Sequence, residues 1–209
     1  MEEILEKIIT ILDLDINMHP STIHITMRHY RKRTPFLVRD YNKIFPLPYY
    51  FENVLYKKGT YTVADLAAGP VCRLGGKKAG SKIIIYASDV LANEYNAITD
   101  AIGEKLLIPI EYQDIESLTY PDEMFDVVHC VNALDHTLDA KKALSEIKRV
   151  CKKGGWIYLR HAPDQKKNIG GGHFWNISLE GLDNGTEFVP WDGFKTSEDS
   201  GFIISTMTK

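Results

Sequence analysis

From Thr60 onward the sequence predicts an α/β domain, a mainly parallel sheet covered by helices. Short apolar runs of strand length alternate with stretches of helical periodicity, the pattern that βαβ units produce. The most regular amphipathic stretch of the chain lies between the fourth and fifth of these runs. A helix in that place is the crossover that parallel strands require.

The elements follow in chain order. Ile4, Leu5, Ile8, Ile9 and Leu12 recur at helical spacing with Glu2, Glu3, Glu6 and Lys7 between them. This predicts an amphipathic helix that ends near Asp13 to Asp15 and packs on the main body. Residues 28–58 carry eight lysines and arginines against Asp40 and Glu52, interleaved with eight aromatic residues from Tyr30 to Tyr56. Residues 1–58 are expected to form an N-terminal helical or cap segment on a domain spanning 59–209, the whole making one compact unit. Within that domain the candidate strands are Tyr61 to Leu66, Ile83 to Ser88, Ile108 to Tyr112, Phe125 to Asn132 and Trp156 to His161. A helix through Glu94, Tyr95 and Ile98 follows the second strand. In the helix before the fifth strand, Ala140, Ala143, Leu144, Ile147, Val150 and Cys151 share a face, and Gly154 with Gly155 is expected to stop it. Two late strands, Glu187 to Trp191 and Phe202 to Thr208, are expected to pair as a terminal hairpin at the sheet edge.

Composition narrows the class. With 209 residues, a net charge of -3 and 44% hydrophobic residues, the chain can bury the core of one ordinary domain and is not disordered throughout. No apolar run approaches the roughly 20 residues of a membrane helix. Glutamates stand where a secretory signal would carry lysine or arginine, and Cys72, Cys130 and Cys151 are too far apart for a disulfide framework or a CxxC zinc site. A cytoplasmic location is expected.

In an open parallel sheet, ligands bind beyond the carboxyl ends of the strands. The first strand runs into VADLAAGPVCRLGG, in which Asp65 is followed by small residues and Gly69. The spacing GxxxxGK[ST] occurs nowhere, and GxGxxG fails because Ala67 and Val71 occupy glycine positions. A turn with one glycine and no phosphate cradle suits a ligand without pyrophosphate. Asp89 follows the second strand, 24 residues beyond Asp65, near the spacing at which a carboxylate accepts from ribose hydroxyls. Asp114 follows the third, where it can accept from an exocyclic amine. The Asp65 turn alone reads equally well as a plain strand-to-helix turn, a lone Asp89 is more often a helix cap, and Asp114 can likewise be a cap or turn residue. Three at successive strand ends point to a ligand.

The segments VADLAAGP, YASDVL, YQDIESLTYPDEMFDVVHCVNALDH and ALSEIKRVCKKGGWIYLRH resemble the class I S-adenosylmethionine-dependent methyltransferases, in particular the type 11 small-molecule group. The resemblance covers residues 61 to 161, about half the chain. It implies a Rossmann-like seven-stranded sheet, mostly parallel with its last strand antiparallel and helices on both faces. It implies S-adenosylmethionine as cofactor and S-adenosylhomocysteine as product. Asp65 and the Ala67 to Gly69 turn would lie against the methionine end, and Asp89 would hold the ribose. Val90 or Leu91 would pack on adenine, Asp114 and the Ile115 amide would read its edge, and Asn132 would lie near the sulfonium. The sequence departs from the family at Ala67 and Val71, and Gly75, Gly76 and Gly80 cut short the helix that follows.

Methyl transfer from a sulfonium mainly requires alignment of the acceptor, and a hydroxyl acceptor must also lose a proton. His136, just beyond the fourth strand, is the residue expected to take it, against the plainer role of capping the next helix or bonding to a loop carbonyl. Asp135 would position the acceptor or orient His136. In principle Asp135 could also hold a metal, but a single carboxylate gives a metal site little support, and none is expected. His161 ends the fifth strand on the same edge, and GGGHFWN, with His173 and Trp175, reads equally as a lid over the acceptor or a plug of the core. The basic aromatic stretch, with Arg28, Arg31 and Arg33, reads first as a solvated face and second as a site for an anionic small-molecule acceptor. RNA ranks third, because the sequence pI near 6.2 is acidic. The expected function is O- or N-methylation of a small, sugar-type or anionic metabolite. The alternatives are a non-catalytic methyltransferase-like partner subunit and an RNA methyltransferase.

Overall fold

The computed structural model describes residues 33–52, 54–164 and 172–209. The helix expected over the first residues, with Arg28 and Arg31, lies outside them. Seven strands form the main sheet: β1 (Thr60–Leu66), β2 (Lys82–Asp89), β3 (Ile110–Tyr112), β4 (Phe125–Val131), β5 (Cys151–His161), β6 (Lys195–Asp199) and β7 (Phe202–Thr208). Their order is β6-β7-β5-β4-β1-β2-β3. Strands β1 to β5 are parallel, and β7 runs antiparallel to both β5 and β6. The strand order reverses between β1 and β4, so a crevice opens above their carboxyl ends.

Residue alternation along the strands builds two cores. Ala64, Leu66, Val128, Cys130, Ile157 and Leu159 face helix α3 (Ala140–Val150), which buries Ala140, Ala143, Leu144 and Ile147 against them. That stripe is the one read from the sequence, and the Asp139 side chain caps the helix by accepting from the Lys142 amide at 2.9 Å, a bond worth about 1 kcal/mol. The opposite face carries Val63, Ala87 and Val127 and is covered by Phe51, Leu55, Leu74 and Ala92, the first residue of helix α2 (Ala92–Ala101). Helix α1 (Thr34–Tyr41) packs on α2. Among the described residues no helix is long and apolar enough to cross a membrane.

Three expectations are corrected. The partner of β7 at the sheet edge is β6, not Glu187 to Trp191. Ser200 and Gly201 both take positive φ, 52° and 77°, and form the tight turn that a β6–β7 hairpin needs. Phe188–Pro190 instead joins a separate three-stranded sheet with Asn176–Ile177 and Gly181–Asp183. Helix α3 stops at Val150, and Cys151, Gly154 and Gly155 already belong to β5. Finally, the connection from β1 to β2 contains no helix at all. A two-residue strand, Gly76–Lys77, pairs there in parallel with Phe45–Pro46, and Phe51 and Leu55 supply apolar cover to that face of the sheet.

Gly75 makes this pairing possible. It holds φ at +73°, and a Cβ on it would come within 2.5 Å of both the Phe45 ring and the Phe45 carbonyl oxygen. Gly75→Ala is therefore expected to lower unfolding stability by about 2 kcal/mol or more, through left-handed strain plus a backbone clash. Thermal denaturation checks this, and an unchanged midpoint would contradict it.

Candidate active site

A cavity of about 830 Å³ lies over the carboxyl ends of the parallel strands. Asp65, Ala67, Gly69, Asp89, Val90, Leu91, Asp114, Ile115, Asn132 and His136 all line it. Asp135 does not: it is 3% exposed and sits beneath His136.

The loops after β1 and β2 are tied together by Asp89. One carboxylate oxygen accepts from the Gly69 amide and the other from the Leu91 amide, each at 2.9 Å. Burial raises the Asp89 carboxyl from 3.8 to about 6, against the lowering effect of these two bonds. At Gly69 the backbone is left-handed, φ +71°, and a Cβ would meet nothing within 4 Å, so the turn faces open cavity. Ala67 and Asn132 also hold positive φ, 53° and 51°. Such conformations cost non-glycine residues about 1–2 kcal/mol and concentrate at ligand sites. Asn132 is fixed by its side-chain oxygen, which accepts from the Ala162 amide at 3.1 Å. Asp114 accepts from the Glu116 amide at 2.8 Å and so shapes the turn after β3.

Asp65, His129 and Tyr158 are register partners on β1, β4 and β5, so they form one row across the sheet. Asp65 Oδ1 lies 2.8 Å from His129 Nδ1, and His129 Nε2 lies 3.1 Å from the Tyr50 hydroxyl. With Nδ1–H donating to the carboxylate, Nε2 is the acceptor for the Tyr50 O–H. Tyr50 arrives from the segment before β1 and stacks on Tyr158 at 4.3 Å between ring centres. Burial pushes the Tyr50 hydroxyl well above the usual phenol range and keeps it protonated. Tyr50, His129 and Asp65 line the same cavity.

His136 shows a different side to the cavity than its position in the sequence suggests. Its Nδ1 is 2.5 Å from the Gly172 carbonyl oxygen, and its Nε2 is 3.8 Å from Asp135 Oδ2. Both ring nitrogens thus face protein. Asp135 Oδ2 lies 2.5 Å from His173 Nδ1, and its carboxyl is held below the usual range by His173, His136 and His161 against the effect of burial. His161 is 1% exposed and does not line the cavity. Burial pushes its imidazole down to about 4. Trp175 is fully buried and donates to the Thr137 carbonyl at 2.8 Å, so it plugs the core and is no lid.

Among the cavity residues, the sequence reading gave no role to Arg73, His129, Tyr158 and Arg160, and reached Tyr49 and Tyr50 only as part of the basic aromatic stretch. For His129 a signal existed, since a titratable residue interrupts the apolar run FDVVHCV. For Arg73, Tyr158 and Arg160 no local signal exists, because they converge from separate elements. Arg73 lies over the Tyr41 ring and Arg160 over the Phe202 ring. Neither has a carboxylate partner among the described residues.

Comparison with known proteins agrees with this architecture. Residues 64–159 match the family model of the methyltransferase domain. The chain is 26% identical over 140 residues to the ubiquinone/menaquinone biosynthesis C-methyltransferase UbiE of Bordetella avium, covering 66% of this chain and 52% of that protein. It is 28% identical over 106 residues to UbiE of Neisseria meningitidis, covering 49% of this chain and 43% of that one. The chain thus spans about half the length of the relatives it matches. A Methanococcus maripaludis protein described as a candidate S-adenosyl-L-methionine-dependent methyltransferase superimposes with TM-score 0.52 at 17% identity, over 88% of this chain and 90% of that one. A Haloferax volcanii candidate methyltransferase solved with the activator Trm112 gives 0.52 at 15% identity, over 85% and 93%.

Proposed function

We propose that the chain is a class I S-adenosylmethionine-dependent methyltransferase, a reading supported by the match of residues 64–159 to the methyltransferase domain, and that it transfers a methyl group from S-adenosylmethionine to a small molecule held in the same cavity. One arrangement carries the reading. Asp65, Asp89 and Asp114 leave three neighbouring strands and line one cavity together with Val90, Leu91 and Ile115. An adenosine needs that combination: carboxylates for ribose hydroxyls and the amine edge, and apolar side chains for the ring faces. In this reading Asp89 accepts from the ribose with the lone pairs its two amide bonds leave free, Asp114 and the Ile115 amide meet adenine, and Val90 and Leu91 pack on it. Asp65, the Ala67 to Gly69 turn and Asn132 lie along the methionine and sulfonium.

The acceptor then occupies the end of the cavity walled by Tyr50, Tyr158 and Arg160. Its oxygen attacks the methyl carbon, the sulfur–methyl bond breaks with its electrons staying on sulfur, and the acceptor proton must leave. Tyr50 oxygen can accept that proton while its own passes to His129 Nε2, leaving an imidazolium paired with Asp65. Arg73 and Arg160 suit an anionic substituent on the acceptor. Tyr49, Tyr50 and Tyr158 at the same end favour a second acceptor class, a planar ring bearing a hydroxyl. Loss of the hydroxyl proton through the same relay would activate an adjacent ring carbon, which takes the methyl and then releases its own proton to restore the ring, in keeping with the C-methyltransferase relatives.

S-adenosylhomocysteine at about 100 times its dissociation constant is expected to stabilise the fold by about 2.7 kcal/mol, which is a rise of roughly 5–10 °C in melting temperature for a chain of this size. No shift at millimolar concentration would overturn the reading. Affinity should also depend on pH. Ribose hydroxyls need an ionised acceptor, and the Asp89 carboxyl titrates near about 6. Calorimetry is expected to show constant affinity above that pH and a fall of up to about tenfold per unit below it. A flat profile from pH 7.5 to 5 would exclude Asp89 as the ribose ligand. Stability of the free protein should run the other way. The raised value means that the folded state holds the proton more tightly than the unfolded chain, so Asp89's contribution is complete below 3.8 and lost as pH rises through about 6.

A further inference from the structure

On the helix α3 side of the sheet, four titratable side chains meet that the proposed transfer does not use. Asp135 and His136 come from the turn after β4, His161 from the end of β5, and His173 from the segment before the small sheet. One donor atom from each of Asp135, His136 and His173 lies within 4.8 Å of the others. The rings of His136 and His173 are 4.3 Å apart.

Three details go beyond a buried ion pair. His136 Nδ1 donates to the Gly172 carbonyl, which places the Nε2 lone pair on the side facing Asp135. A ring nitrogen fixed in this way by a backbone carbonyl is the usual orienting contact of a metal-binding histidine. Asp135 is 3% exposed, yet its Oδ1 has no partner among the described residues. His161, 1% exposed, has neither ring nitrogen bonded, and it is close enough to act electrostatically on both Asp135 and His136. Buried polar atoms are rarely left without a partner, and those that are call for one.

We propose that Asp135, His136 and His173 bind one divalent transition-metal ion of the zinc class, with His161 as the imidazole behind them. Two imidazoles and a carboxylate suit such an ion, whereas magnesium and calcium favour all-oxygen sites. Metal–ligand distances of about 2.0–2.2 Å bring tetrahedral donors to roughly 3.3 Å from one another, so side-chain rotations of about 1 Å close the set. The ion takes the place of the proton between His173 and Asp135, and the neutral imidazole of His173 carries its one N–H on Nε2. Bound there, the ion would pin the segment from Gly172 to Trp175 onto the turn that lines the cavity. In the sequence Asp135 is a lone carboxylate, and only the fold brings the histidines to it.

The test uses untagged, full-length protein freed of metal by a chelator and dialysed. Titration with cobalt(II) chloride should produce visible ligand-field bands that saturate at one ion per chain, and zinc chloride should displace them. Calorimetry with zinc should give a low-micromolar or tighter dissociation constant. Asp135→Asn and His173→Gln should each weaken zinc binding at least tenfold while unfolding cooperatively. Absence of cobalt bands in the wild type overturns the proposal, whatever the variants do. So does unchanged zinc affinity in both variants, which would place the ion on other histidines of the chain. Should either variant fail to fold, His136→Gln takes its place, and unchanged zinc affinity in that variant overturns the proposal.

Discussion

Tyr50→Phe is expected to lower turnover by about 10²-fold while leaving cofactor affinity within a factor of about two. General acid–base groups contribute roughly 10² to 10⁴, and the substitution removes the hydroxyl bonded to His129 Nε2. It leaves the ring and therefore the stacking on Tyr158 at 4.3 Å. Phenylalanine also removes the hydroxyl's hydrogen bond to His129 Nε2, but that nitrogen faces a cavity and can turn to water. A purely structural network would show lost melting temperature with intact turnover. The relay predicts the reverse, and steady-state kinetics with thermal unfolding of the same variant separate the two. If Tyr50→Phe keeps full turnover, the proton leaves by another route, with water as the remaining acceptor.

Asp89→Ala is expected to weaken S-adenosylhomocysteine binding by about 10² or more. A hydrogen bond to a charged carboxylate is worth about 1.5–3 kcal/mol, and the ribose offers two. The same variant should lose little stability. Its gain from removing a buried charge offsets the loss of two bonds to the Gly69 and Leu91 amides. Calorimetric titration of wild type and variant at pH 7.5 reads the ratio directly. Equal affinities would remove Asp89 from the ligand site.

The parts of the fold that were legible in the sequence are those in which burial imposes a local pattern. Helix α3 shows its stripe because one face meets the sheet and the other meets water, and β1, β2 and β4 show apolar runs because both sheet faces are covered. Strand β6 was invisible because Lys195, Ser197, Glu198 and Asp199 lie exposed at a sheet edge and carry no apolar alternation. The missing helix after β1 could not be read either. Its place is taken by Phe51 and Leu55, from a segment whose destination depends on the Gly75 contact. For the site, position along the strands sufficed to collect the residues that line the cavity, because parallel strands deliver their carboxyl ends to one edge. It could not tell which way a side chain turns. His136 reached the cavity with its nitrogens averted, Asp135 fell behind it, and Tyr50 entered from a stretch read as a charged surface.

The central claim, that this cavity holds the methyl donor, is tested most directly by a crystal structure determined with saturating S-adenosylhomocysteine. The account predicts the ribose hydroxyls on the Asp89 carboxylate at about 2.7 Å, adenine between Val90 or Leu91 and Ile115, and the sulfur near Asn132 on the side facing Tyr50. An empty cavity, or the ligand bound elsewhere on the protein, would contradict it.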